Sequence, residues 1–356
     1  MPGTPDTEFP CAGYTRHNGR VRLVIQIPCL NEAETLGETL GALPREVPGF
    51  SEVLWLVVDD GSTDDTVTIA RDHGADAVVS LTQNKGLAVA FASGLDAALR
   101  MDADVIVNTD GDNQYDAADI AKLTEPIVAG RADLVIGSRD IRNHPEFSPL
   151  KKRLQRLGSW TVRQASATDV ADVTSGFRAY SREAALAANV VSRFTYTLET
   201  VIQAGKSDLA VTDVPVRVNP TTRPSRLFRS KRQYVRRAAG TIVRVYAMHE
   251  PLRVFAVPAA LFAAVGVFLF ARFGWFLVTS DGSGHVQSLI IGAVALLVAM
   301  QLVMLGVLAD LLRANRVIAE RTLRRVRTIE LDVASLKAVQ NSILQPASQP
   351  DSETTK

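Results

Sequence analysis

The feature that most constrains this chain is a pair of long stretches without a charged residue near its C-terminal end. They run from Val254 to Ala271 and from Val286 to Ala309, and the first continues beyond Arg272 as a further apolar run. About 20 apolar residues in a helix, at about 1.5 Å per residue, cross about 30 Å of hydrocarbon. Helices buried in soluble proteins rarely lack a polar stripe over such a length. The sequence therefore predicts two transmembrane helices, at about 254–278 and 286–309, in preference to two buried core helices.

The residues around these stretches predict how they cross the membrane. The link from Thr279 to His285 is short, contains glycine and has neither lysine nor arginine. From Arg217 to Arg253, by contrast, arginine and lysine are frequent, and Glu250 is the one acidic residue. Because lysine and arginine stay on the cytoplasmic side, we expect a helical hairpin integral to the cytoplasmic membrane. The large N-terminal domain and the C-terminal tail are then cytoplasmic.

The sequence on either side of the two apolar stretches predicts further segments of the chain. Before the first stretch, apolar residues recur at helical spacing between arginines, which favours a helix in the lipid headgroup layer over a solvated one. After the second stretch, an approximate a/d heptad pattern allows a short coiled coil. That pattern runs through Val326, Ile329, Val333, Leu336, Gln340 and Ile343. The expected segments are a flexible leader (1–19), an α/β domain (20–227), an amphipathic interfacial helix (228–250), two transmembrane helices (251–312), a cytoplasmic C-terminal helix (313–344) and a disordered tail (345–356).

The N-terminal domain alternates strand and helix signals. The apolar runs VRLVIQIP, VLWLVVDD, AVVSL, DVIVNTD and DLVIGSR predict five buried strands. Between them the pattern predicts helices opened by Asn31 and at about 64–73, 86–101 and 116–130. Strands that alternate with helices imply right-handed crossovers and a doubly wound, mainly parallel sheet.

Polar clusters follow four of these predicted strands. They are Pro28 to Glu32, Asp59 to Ser62, Asp110 to Asp112, and Gly137 to Arg139. In doubly wound sheets, ligands bind beyond the carboxyl ends of the strands, so these clusters predict one site. Neither GxGxxG nor GxxxxGK[ST] occurs, which argues against dehydrogenases and P-loop NTPases. The formal net charge of +1 gives no indication of nucleic-acid binding.

Two of the clusters contain paired carboxylates. Asp110 and Asp112 repel each other unless a proton or cation intervenes, and a hard divalent ion bound also by phosphate oxygens fits such a pair. Asp59 and Asp60 precede Gly61, so they could belong to a turn that starts a helix, or could present a carboxylate to a nucleotide base. A turn and a binding role are compatible.

Six segments in this order carry a resemblance to a known family: IPCLNEAETL, VVDDGSTDDT, QNKGLAVAFASGL, NTDGDNQY, IGSR and DVTSGFRAYS. Together they resemble the family 2 inverting glycosyltransferases. More narrowly, the chain resembles the polyprenyl-phosphate glycosyltransferases, including dolichyl-phosphate mannose synthases and bacterial undecaprenyl-phosphate glucosyltransferases with two terminal spans. The resemblance covers about Arg20 to Ala309 and implies a GT-A fold. Asp-Gly-Asp-Asn-Gln stands where many relatives have Asp-Ala-Asp-Leu-Gln, which leaves the expected ligands in place.

The resemblance also implies roles for individual residues. The nucleotide sugar would contact Pro28, Asn31, Glu32, Asp60, Lys85, Asp110, Ser175 and Gly176. A Mg²⁺ or Mn²⁺ ion would be bound by Asp110, Asp112 and Gln114. The catalytic residues would be Asp112, Glu199 and Arg139. For Ser175 and Gly176 a turn beside a buried Phe177 is the structural alternative, and for Glu199 a carboxylate at a surface or helix end.

Arginines supply the positive charge that two anionic reactants require. A phosphate monoester is mostly dianionic at neutral pH and is already a nucleophile, so the harder task is to bring it close to a diphosphate. The planar fork of arginine binds phosphate through two hydrogen bonds. The arginines expected to contact acceptor phosphate or diphosphate are Arg153, Arg156, Arg223 and Arg226; each alone could equally be a solvated charge.

These observations lead to one expected function and two alternatives. The chain is expected to transfer a hexose from a nucleotide diphosphate sugar, UDP-glucose before GDP-mannose, to a polyprenyl phosphate at the cytoplasmic membrane face. The first alternative is a lipid or saccharide hydroxyl as acceptor, with Glu199 as base. The second is a non-catalytic nucleotide-sugar-binding scaffold at the membrane. The resemblance and the heptad pattern imply a homo-oligomer, with a tetramer favoured.

Overall fold

The computed structural model describes residues 21–139, 170–190, 196–207, 209–219, 250–279 and 286–344. Four predicted segments lie outside these residues in whole or nearly so: the leader (1–19), the interfacial helix (228–250), the link between the spans (280–285) and the tail (345–356). The predictions for those segments stay predictions.

The N-terminal domain is built on one seven-stranded sheet with the strand order β3-β2-β1-β4-β6-β5-β7. The strands are β1 (Arg22–Cys29), β2 (Glu52–Asp59), β3 (Ala77–Ser80), β4 (Val105–Asn108), β5 (Leu134–Ser138), β6 (Arg178–Ser181) and β7 (Val211–Pro215). All pairings are parallel except those of β6, which is antiparallel to both β4 and β5. The expected α/β, mainly parallel sheet is confirmed.

Helices connect the strands and cover the sheet. They are α1 (Leu36–Ala42), α2 (Thr66–Asp72), α3 (Leu87–Arg100), α4 (Ile120–Val128, after a short 3₁₀ turn), α5 (Arg182–Ala187) and α6 (Thr197–Lys206). The prediction that Asn31 opens the first helix is wrong, because α1 begins five residues later and Asn31 is left-handed with φ of 55°. Asparagine tolerates this conformation better than most residues, and its side chain binds another loop instead of capping a helix.

The apolar strand runs form the core. Leu23, Ile25 and Ile27 of β1 are fully buried on one face, and Val24 on the other face is equally buried. Burial on both faces is typical of a central strand in a parallel sheet, which explains why β1 lacks polar alternation. The exception is Gln26, fully buried, whose side-chain amide donates to Asn108 on β4 at 2.9 Å.

The two long apolar stretches form helices α7 (Pro251–Thr279) and α8 (Val286–Leu344). The most apolar window of each has a mean hydropathy of 2.5, and only 11% and 22% of these windows are buried. Both helices are long and apolar enough to span a membrane, and their exposure disagrees with the alternative of buried core helices. Helix α8 continues without a break through the separate C-terminal helix expected at 313–344.

Small residues bring α7 and α8 close together. A Cβ atom on Gly266 would lie 2.7 Å from the side chain of Leu296, and one on Gly292 would lie 3.0 Å from the ring of Phe270. Inside a bilayer the hydrophobic effect does not drive helices together. Helices that span a membrane associate through van der Waals packing, which small residues allow by letting the backbones approach closely. Arg272, near the end of α7, donates to the Ser288 hydroxyl at 3.1 Å, so its charge is bound by a polar group on α8.

Candidate active site

The polar clusters predicted at the strand ends meet at one edge of the sheet. The register pairs Cys29 at the end of β1 with Asp59 at the end of β2, and Gln26 of β1 with Asn108 at the end of β4. Because these strands are parallel, the loops that follow them leave from the same edge. The segments that start at Pro28, Asp59 and Asp110 are therefore neighbours in space.

Hydrogen bonds join the first two loops. The backbone N–H of Asn31 donates to the Ser62 hydroxyl at 2.9 Å, and the N–H of Thr63 donates to Oδ1 of Asn31 at 2.8 Å. The N–H of Glu32 donates to the Thr66 hydroxyl at 2.9 Å. Ser62 and Thr63 therefore brace the Asn31 loop and do not cap α2, which starts at Thr66. The left-handed turn at Asn31 is fixed from two sides.

Asp60 anchors the loop that precedes α3. Its side chain is buried, and its two carboxylate oxygens accept from the backbone N–H groups of Lys85 at 2.8 Å and Gly86 at 2.9 Å. Gly61 makes this approach possible, since it has φ of 76° and a Cβ atom there would lie 2.6 Å from the backbone of Gln83. Asp60 thus places the exposed Lys85 at the site edge. Direct contact of either residue with a nucleotide stays a prediction.

Asp110 and Asp112 lie in the loop after β4, where carboxylates crowd together. Burial, followed by the charge of Asp112, raises the pKa of Asp110 to about 7, and Glu32 adds to this rise while Arg139 opposes it. A buried carboxyl beside other carboxylates keeps its proton to a higher pH unless a nearby cation stabilises its negative charge. A bound cation would supply that compensation.

The donor set fits a hard divalent ion only in part. Within the described ranges, no group of three or more His, Cys, Asp or Glu side chains is close enough to hold a metal ion. The described chain therefore offers Asp110 and Asp112 as carboxylate ligands, with Gln114, half-buried, beside them. Magnesium is commonly bound by one or two carboxylates together with substrate phosphates. The residues fit a metal ion whose coordination is completed by a diphosphate and water.

The loop that carries these aspartates is held on both sides. The carbonyl of Gly111 accepts from the hydroxyls of Thr35 at 3.0 Å and Thr39 at 3.1 Å. On the other side the N–H of Asn219 donates to the carbonyl of Gln114 at 2.9 Å. A Cβ atom on Gly111 would lie 2.9 Å from Sγ of Cys29, which is closer than van der Waals contact allows. Glycine at this position therefore leaves room for the thiol.

Arg139, at the end of β5, is held in a buried ion pair. Its Nε donates to Asp172 at 2.7 Å and its Nη2 to the other carboxylate oxygen at 3.3 Å and to the Thr174 hydroxyl at 3.1 Å. The Asp172 side chain is fully buried and that of Arg139 is 13% exposed. Although burial favours a protonated carboxyl, the Arg139 charge and the Thr174 hydrogen bonds lower the pKa of Asp172 below 3.8. Asp172 was absent from the expected site residues.

The Ser175–Gly176 segment lies directly beside Asp110. A Cβ atom on Gly176 would stand 3.1 Å from each carboxylate oxygen of Asp110, so glycine is the residue that leaves this carboxylate uncovered. The Gly176 N–H donates to the Tyr115 hydroxyl at 3.2 Å, and its carbonyl accepts from Asn108 at 2.8 Å. The structure therefore brings together two motifs that are more than sixty residues apart in sequence.

Arg178 is an internal support that the sequence analysis did not identify. Its side chain is fully buried, and it donates to the carbonyls of Val173, Ser175 and Thr197 and to the Thr200 hydroxyl at 2.7 to 2.8 Å. These bonds connect the 173–175 loop to the start of α6. These four hydrogen bonds engage four of the five N–H donors of the guanidinium, which offsets the cost of its burial. Arg178, the last residue of the Ser-Gly-Phe-Arg motif, thus supports the 173–175 loop from the protein interior.

Glu199 lies in the first turn of α6 and is 6% exposed. Tyr196, just before this helix, stacks on Phe91 with a ring separation of 3.8 Å, and its hydroxyl accepts from Asn108 at 3.0 Å. Glu199 is thus a buried carboxylate at a helix end, which agrees with the helix-end alternative and disagrees with the surface one. Its role as a base stays a prediction. The four arginines expected at the acceptor, Arg153, Arg156, Arg223 and Arg226, lie outside the described residues.

Comparison with known proteins agrees with this arrangement. Residues 24–186, which span β1 to α5, match the family model described as Glycosyl transferase family 2. The chain is 30% identical to the glycosyltransferase AglJ of Haloferax volcanii, over 81% of this chain and 92% of that protein. It is also 30% identical to the UDP-N-acetylglucosamine–dolichyl-phosphate N-acetylglucosaminyltransferase of Methanococcus voltae, over 54% of this chain and 83% of that protein. The polyprenol monophosphomannose synthase of Mycolicibacterium smegmatis is again 30% identical, over 55% of this chain and 76% of its own length.

Proposed function

This chain belongs to glycosyltransferase family 2, and we propose that it transfers a hexose from a nucleotide diphosphate sugar to the phosphate of a polyprenyl lipid. The chain is an enzyme, so the alternative of a non-catalytic scaffold is set aside. Two relatives bear names that state a polyprenol-type acceptor, dolichyl phosphate in one and polyprenol in the other. Two helices able to span a membrane follow the catalytic domain, which suits an acceptor that resides in lipid.

The observation that carries the proposal is the charge arrangement around Asp110. After burial, the charges of Asp112 and Glu32 raise the pKa of Asp110, and the charge of Arg139 opposes this rise. This edge would repel a diphosphate unless a divalent cation joined the two. We therefore propose a site for a metal ion and the diphosphate of a nucleotide sugar. Asp110 and Asp112 would hold Mg²⁺ or Mn²⁺, whose chemistry is to neutralise charge that develops on the departing diphosphate.

The proposed reaction is a single displacement at the anomeric carbon of the sugar. An oxygen of the lipid phosphate forms the new bond, and the bond from the anomeric carbon to the diphosphate oxygen breaks with its electron pair. The configuration therefore inverts. The phosphate is mostly dianionic at neutral pH, with its second pKa near 6, so no protein base has to remove a proton.

The residues of the chain then act by positioning and by charge. Arg139 is fixed by Asp172 and Thr174, so its guanidinium is oriented before substrate arrives. Preorganised charge of this kind costs no reorganisation during the reaction. Gly176 leaves space against Asp110 for a ligand atom. The arginines Arg153, Arg156, Arg223 and Arg226 are proposed to bind the acceptor phosphate.

For the donor we propose UDP-glucose first and GDP-mannose second. The names of the two relatives mention N-acetylglucosamine and mannose, which supports a nucleotide sugar without fixing the sugar. The basic flanks of the two apolar helices and the uncharged link between them support a catalytic domain on the cytoplasmic side.

The proposal is tested with the purified full-length protein in nanodiscs. It is incubated with undecaprenyl phosphate, Mg²⁺ or Mn²⁺ and a panel of nucleotide sugars, and the lipid product is identified by mass. One sugar should appear on the lipid phosphate with inverted configuration, and chelation should abolish the product. Donor consumption without any glycosylated lipid phosphate would refute the proposed acceptor.

Two matched variants test the site assignment in the same assay. Asp112→Asn removes one charge from the proposed metal pair and should reduce transfer by at least about 100-fold. Asp96→Asn makes the same change at an exposed ion pair on α3 and should leave the rate unchanged. Equal activity of both variants would remove Asp112 from the metal site.

Glu199→Gln distinguishes a phosphate acceptor from a hydroxyl acceptor. A hydroxyl must lose its proton to a base, and loss of that base reduces rates by about 10²- to 10⁴-fold. With a phosphate acceptor we expect less than about tenfold loss, because no proton has to be removed. Near-complete loss, with the thermal unfolding temperature unchanged, would favour the hydroxyl alternative.

A further inference from the structure

The residues that follow β7 lie against the loop that carries the proposed metal ligands. β7 is parallel to β5, so the chain leaves Pro215 at the edge of the sheet where the site is. Val218 then packs against the hydrophobic core and forms an antiparallel bridge with Tyr115. We call residues 216–219 the post-β7 segment and residues 110–115 the aspartate loop. The bridge makes these two segments direct neighbours.

Asn219 ends the post-β7 segment and binds three consecutive carbonyls of the aspartate loop. Its backbone N–H donates to the carbonyl of Gln114 at 2.9 Å. Its side-chain amide donates to the carbonyl of Asn113 at 2.9 Å and to that of Tyr115 at 3.3 Å. The loop is therefore held here by one residue, which lies 106 positions from Asn113 in sequence.

These bonds stabilise a turn that costs conformational energy. Asn113 is left-handed, with φ of 54°, and residues other than glycine adopt this conformation at a cost, which is smaller for asparagine than for most. The N–H of Gln114 turns back to Oδ1 of Asp112 at 3.2 Å. Asp112 and Gln114 flank the left-handed residue directly, so a change in the backbone of Asn113 would move both proposed metal ligands.

Arg217 attaches the post-β7 segment to the domain without contacting the metal ligands. Its backbone N–H donates to the buried carboxylate of Asp119 at 2.7 Å, and its guanidinium forms an ion pair with Asp116 at 2.9 Å. Both partners follow the aspartate loop in the chain. Within residues 216–219, the hydrogen bonds to the turn at Asn113 therefore come from Asn219.

We propose that Asn219 is a positioning residue for the metal site: its amide fixes the turn at Asn113 and thereby holds Asp112 and Gln114 in place for the ion. This inference rests on the proposed function, because it takes the metal site as given. Asn219 lies beyond residues 24–186, which match the family model. Residues that orient metal ligands without binding the metal contribute about 10- to 100-fold to metal affinity or activity. Asn219 thus sets the metal affinity without being a ligand.

Titration with Mn²⁺, followed by EPR in the presence of UDP, tests this role in the full-length protein in nanodiscs. Asn219→Leu keeps the approximate size of the side chain and the backbone N–H but removes both amide donors. Its Mn²⁺ dissociation constant should exceed that of the wild type by at least about tenfold. Asn219→Ala removes the same donors by truncation and should give the same loss, so a leucine variant that fails to fold does not end the test.

Ser181→Ala is the matched control for a general loss of stability. The buried Ser181 hydroxyl accepts from the N–H of Ala184 at 3.0 Å and donates to Asp133 at 3.2 Å. Ser181 pairs with Val105, the first residue of β4, at the edge of the sheet opposite the site. Its loss should lower Tm by about 2 to 4 °C, comparable to the decrease for Asn219→Leu. The Mn²⁺ dissociation constant should stay within about twofold of the wild-type value, because the two sites share no partner.

The dependence of the transfer rate on Mn²⁺ distinguishes positioning of the ligands from a general structural role. Replacement of Asn219 should raise the Mn²⁺ concentration that gives half-maximal rate by about tenfold, and saturating metal should restore the maximal rate to within about threefold of wild type. A lower maximal rate with an unchanged half-saturating concentration would indicate a structural role alone and overturn the proposal. Equal Mn²⁺ dissociation constants for the wild type and both Asn219 variants would overturn it as well.

Parallel titration of Asp112→Asn separates failure of this inference from failure of the metal site. If Asp112→Asn weakens Mn²⁺ binding and Asn219→Leu does not, the metal site stands and the role of Asn219 is overturned. If the wild type binds no Mn²⁺, or Asp112→Asn binds it equally well, the proposed metal site fails and the role of Asn219 fails with it. The titrations contain no lipid, so an incorrect acceptor assignment would change neither result.

Discussion

Replacing Asp172 with asparagine tests how Arg139 is held at the active site. The asparagine side chain would keep one acceptor oxygen but lose the charge, and its amide donors would face the donors of the guanidinium. Removal of one partner from a buried ion pair costs about 3 to 5 kcal/mol, because the remaining charge is uncompensated. Since 13% of the Arg139 side chain is exposed, water relieves part of this cost. We expect about 3 kcal/mol.

The matched control is Thr174→Val, which removes a hydroxyl from the same cluster and leaves the ion pair. The Thr174 hydroxyl donates to Asp172 at 2.8 Å and accepts from Arg139 at 3.1 Å, and loss of these two hydrogen bonds costs about 1 to 2 kcal/mol. For a domain of about 200 residues, each kcal/mol lowers Tm by about 2 to 4 °C. Thermal unfolding of the full-length protein should therefore show a decrease of about 6 to 12 °C for Asp172→Asn and a smaller one, about 2 to 8 °C, for the control.

The pH dependence separates an ion pair from simple packing. The pKa of Asp172 is lower in the folded protein than its ordinary value of 3.8. Its ionised form therefore stabilises the fold above that pH, and this stability is lost as the pH falls through the lower, folded value. The difference in Tm between wild type and Asp172→Asn should be constant from about pH 5 to 8 and shrink below about pH 4.

Activity gives the final readout for this variant. A guanidinium that is no longer fixed should reduce transfer by about 10- to 100-fold at temperatures where the protein is folded. The reasoning is refuted if Asp172→Asn unfolds no earlier than Thr174→Val. It is also refuted if the Tm difference persists unchanged at low pH.

Three further predictions concern the loops around the proposed metal pair. Because the pKa of Asp110 is about 7 without metal, binding of Mn²⁺ must displace a proton below that pH. Affinity in an EPR titration should then fall by about tenfold per pH unit below 7 and change little above it. Gly111→Ala should cost about 1 to 3 kcal/mol of stability through contact with Cys29 at 2.9 Å, and Cys29→Ala in the same chain should recover most of the lost Tm. Tyr196→Phe should lower stability by about 1 kcal/mol, because it removes the buried hydroxyl bound to Asn108; an unchanged Tm would show that this bond contributes nothing.

Sequence patterns predicted the five strands β1 to β5, because continuous apolar runs are a clear signal of strands in a parallel sheet. They missed the parallel strand β7, whose residues are mostly half-buried. The runs that contain Ile25, Val57 and Val107 are continuous and apolar, and turn residues bound each of them. The antiparallel strand β6 has no such signal. It has only four residues, starts with Arg178 and follows a loop whose contacts are made by residues far away in sequence.

The helix expected at Asn31 shows how tertiary contacts override a local rule. Asparagine before an apolar periodic segment is a common helix start. Here, however, its oxygen and backbone N–H are engaged by the loop after β2, through Thr63 at 2.8 Å and Ser62 at 2.9 Å. No pattern within the first loop reveals those partners, because they lie about thirty residues away.

Site residues fall into two groups with different predictability. Ligand candidates such as Asp110 and Asp112 are recognisable, since paired carboxylates after a strand are chemically unusual. Supporting residues such as Asp172 and Arg178 are not, because their partners are identified only once the chain has folded. A charged residue for which the sequence indicates no partner is ordinarily predicted to be exposed to solvent. Asp172 and Arg178 are instead both fully buried.

The supporting contacts have a consequence for how the site responds to change. Asp60 holds the Lys85 loop, and Asp172 holds Arg139, so two of the expected site residues each depend on a neighbouring carboxylate for their position. Loss of such a support leaves the ligand residue chemically intact but badly placed, and misplacement of about 1 Å can reduce rates about 100-fold. Variants at Asp60 should therefore resemble variants at Lys85 in their kinetics while they differ in stability. Shared kinetics with different stability is typical of a residue that positions another residue at the ligand. If Asp60 instead contacts the nucleotide directly, its variants should raise the donor KM and leave stability unchanged.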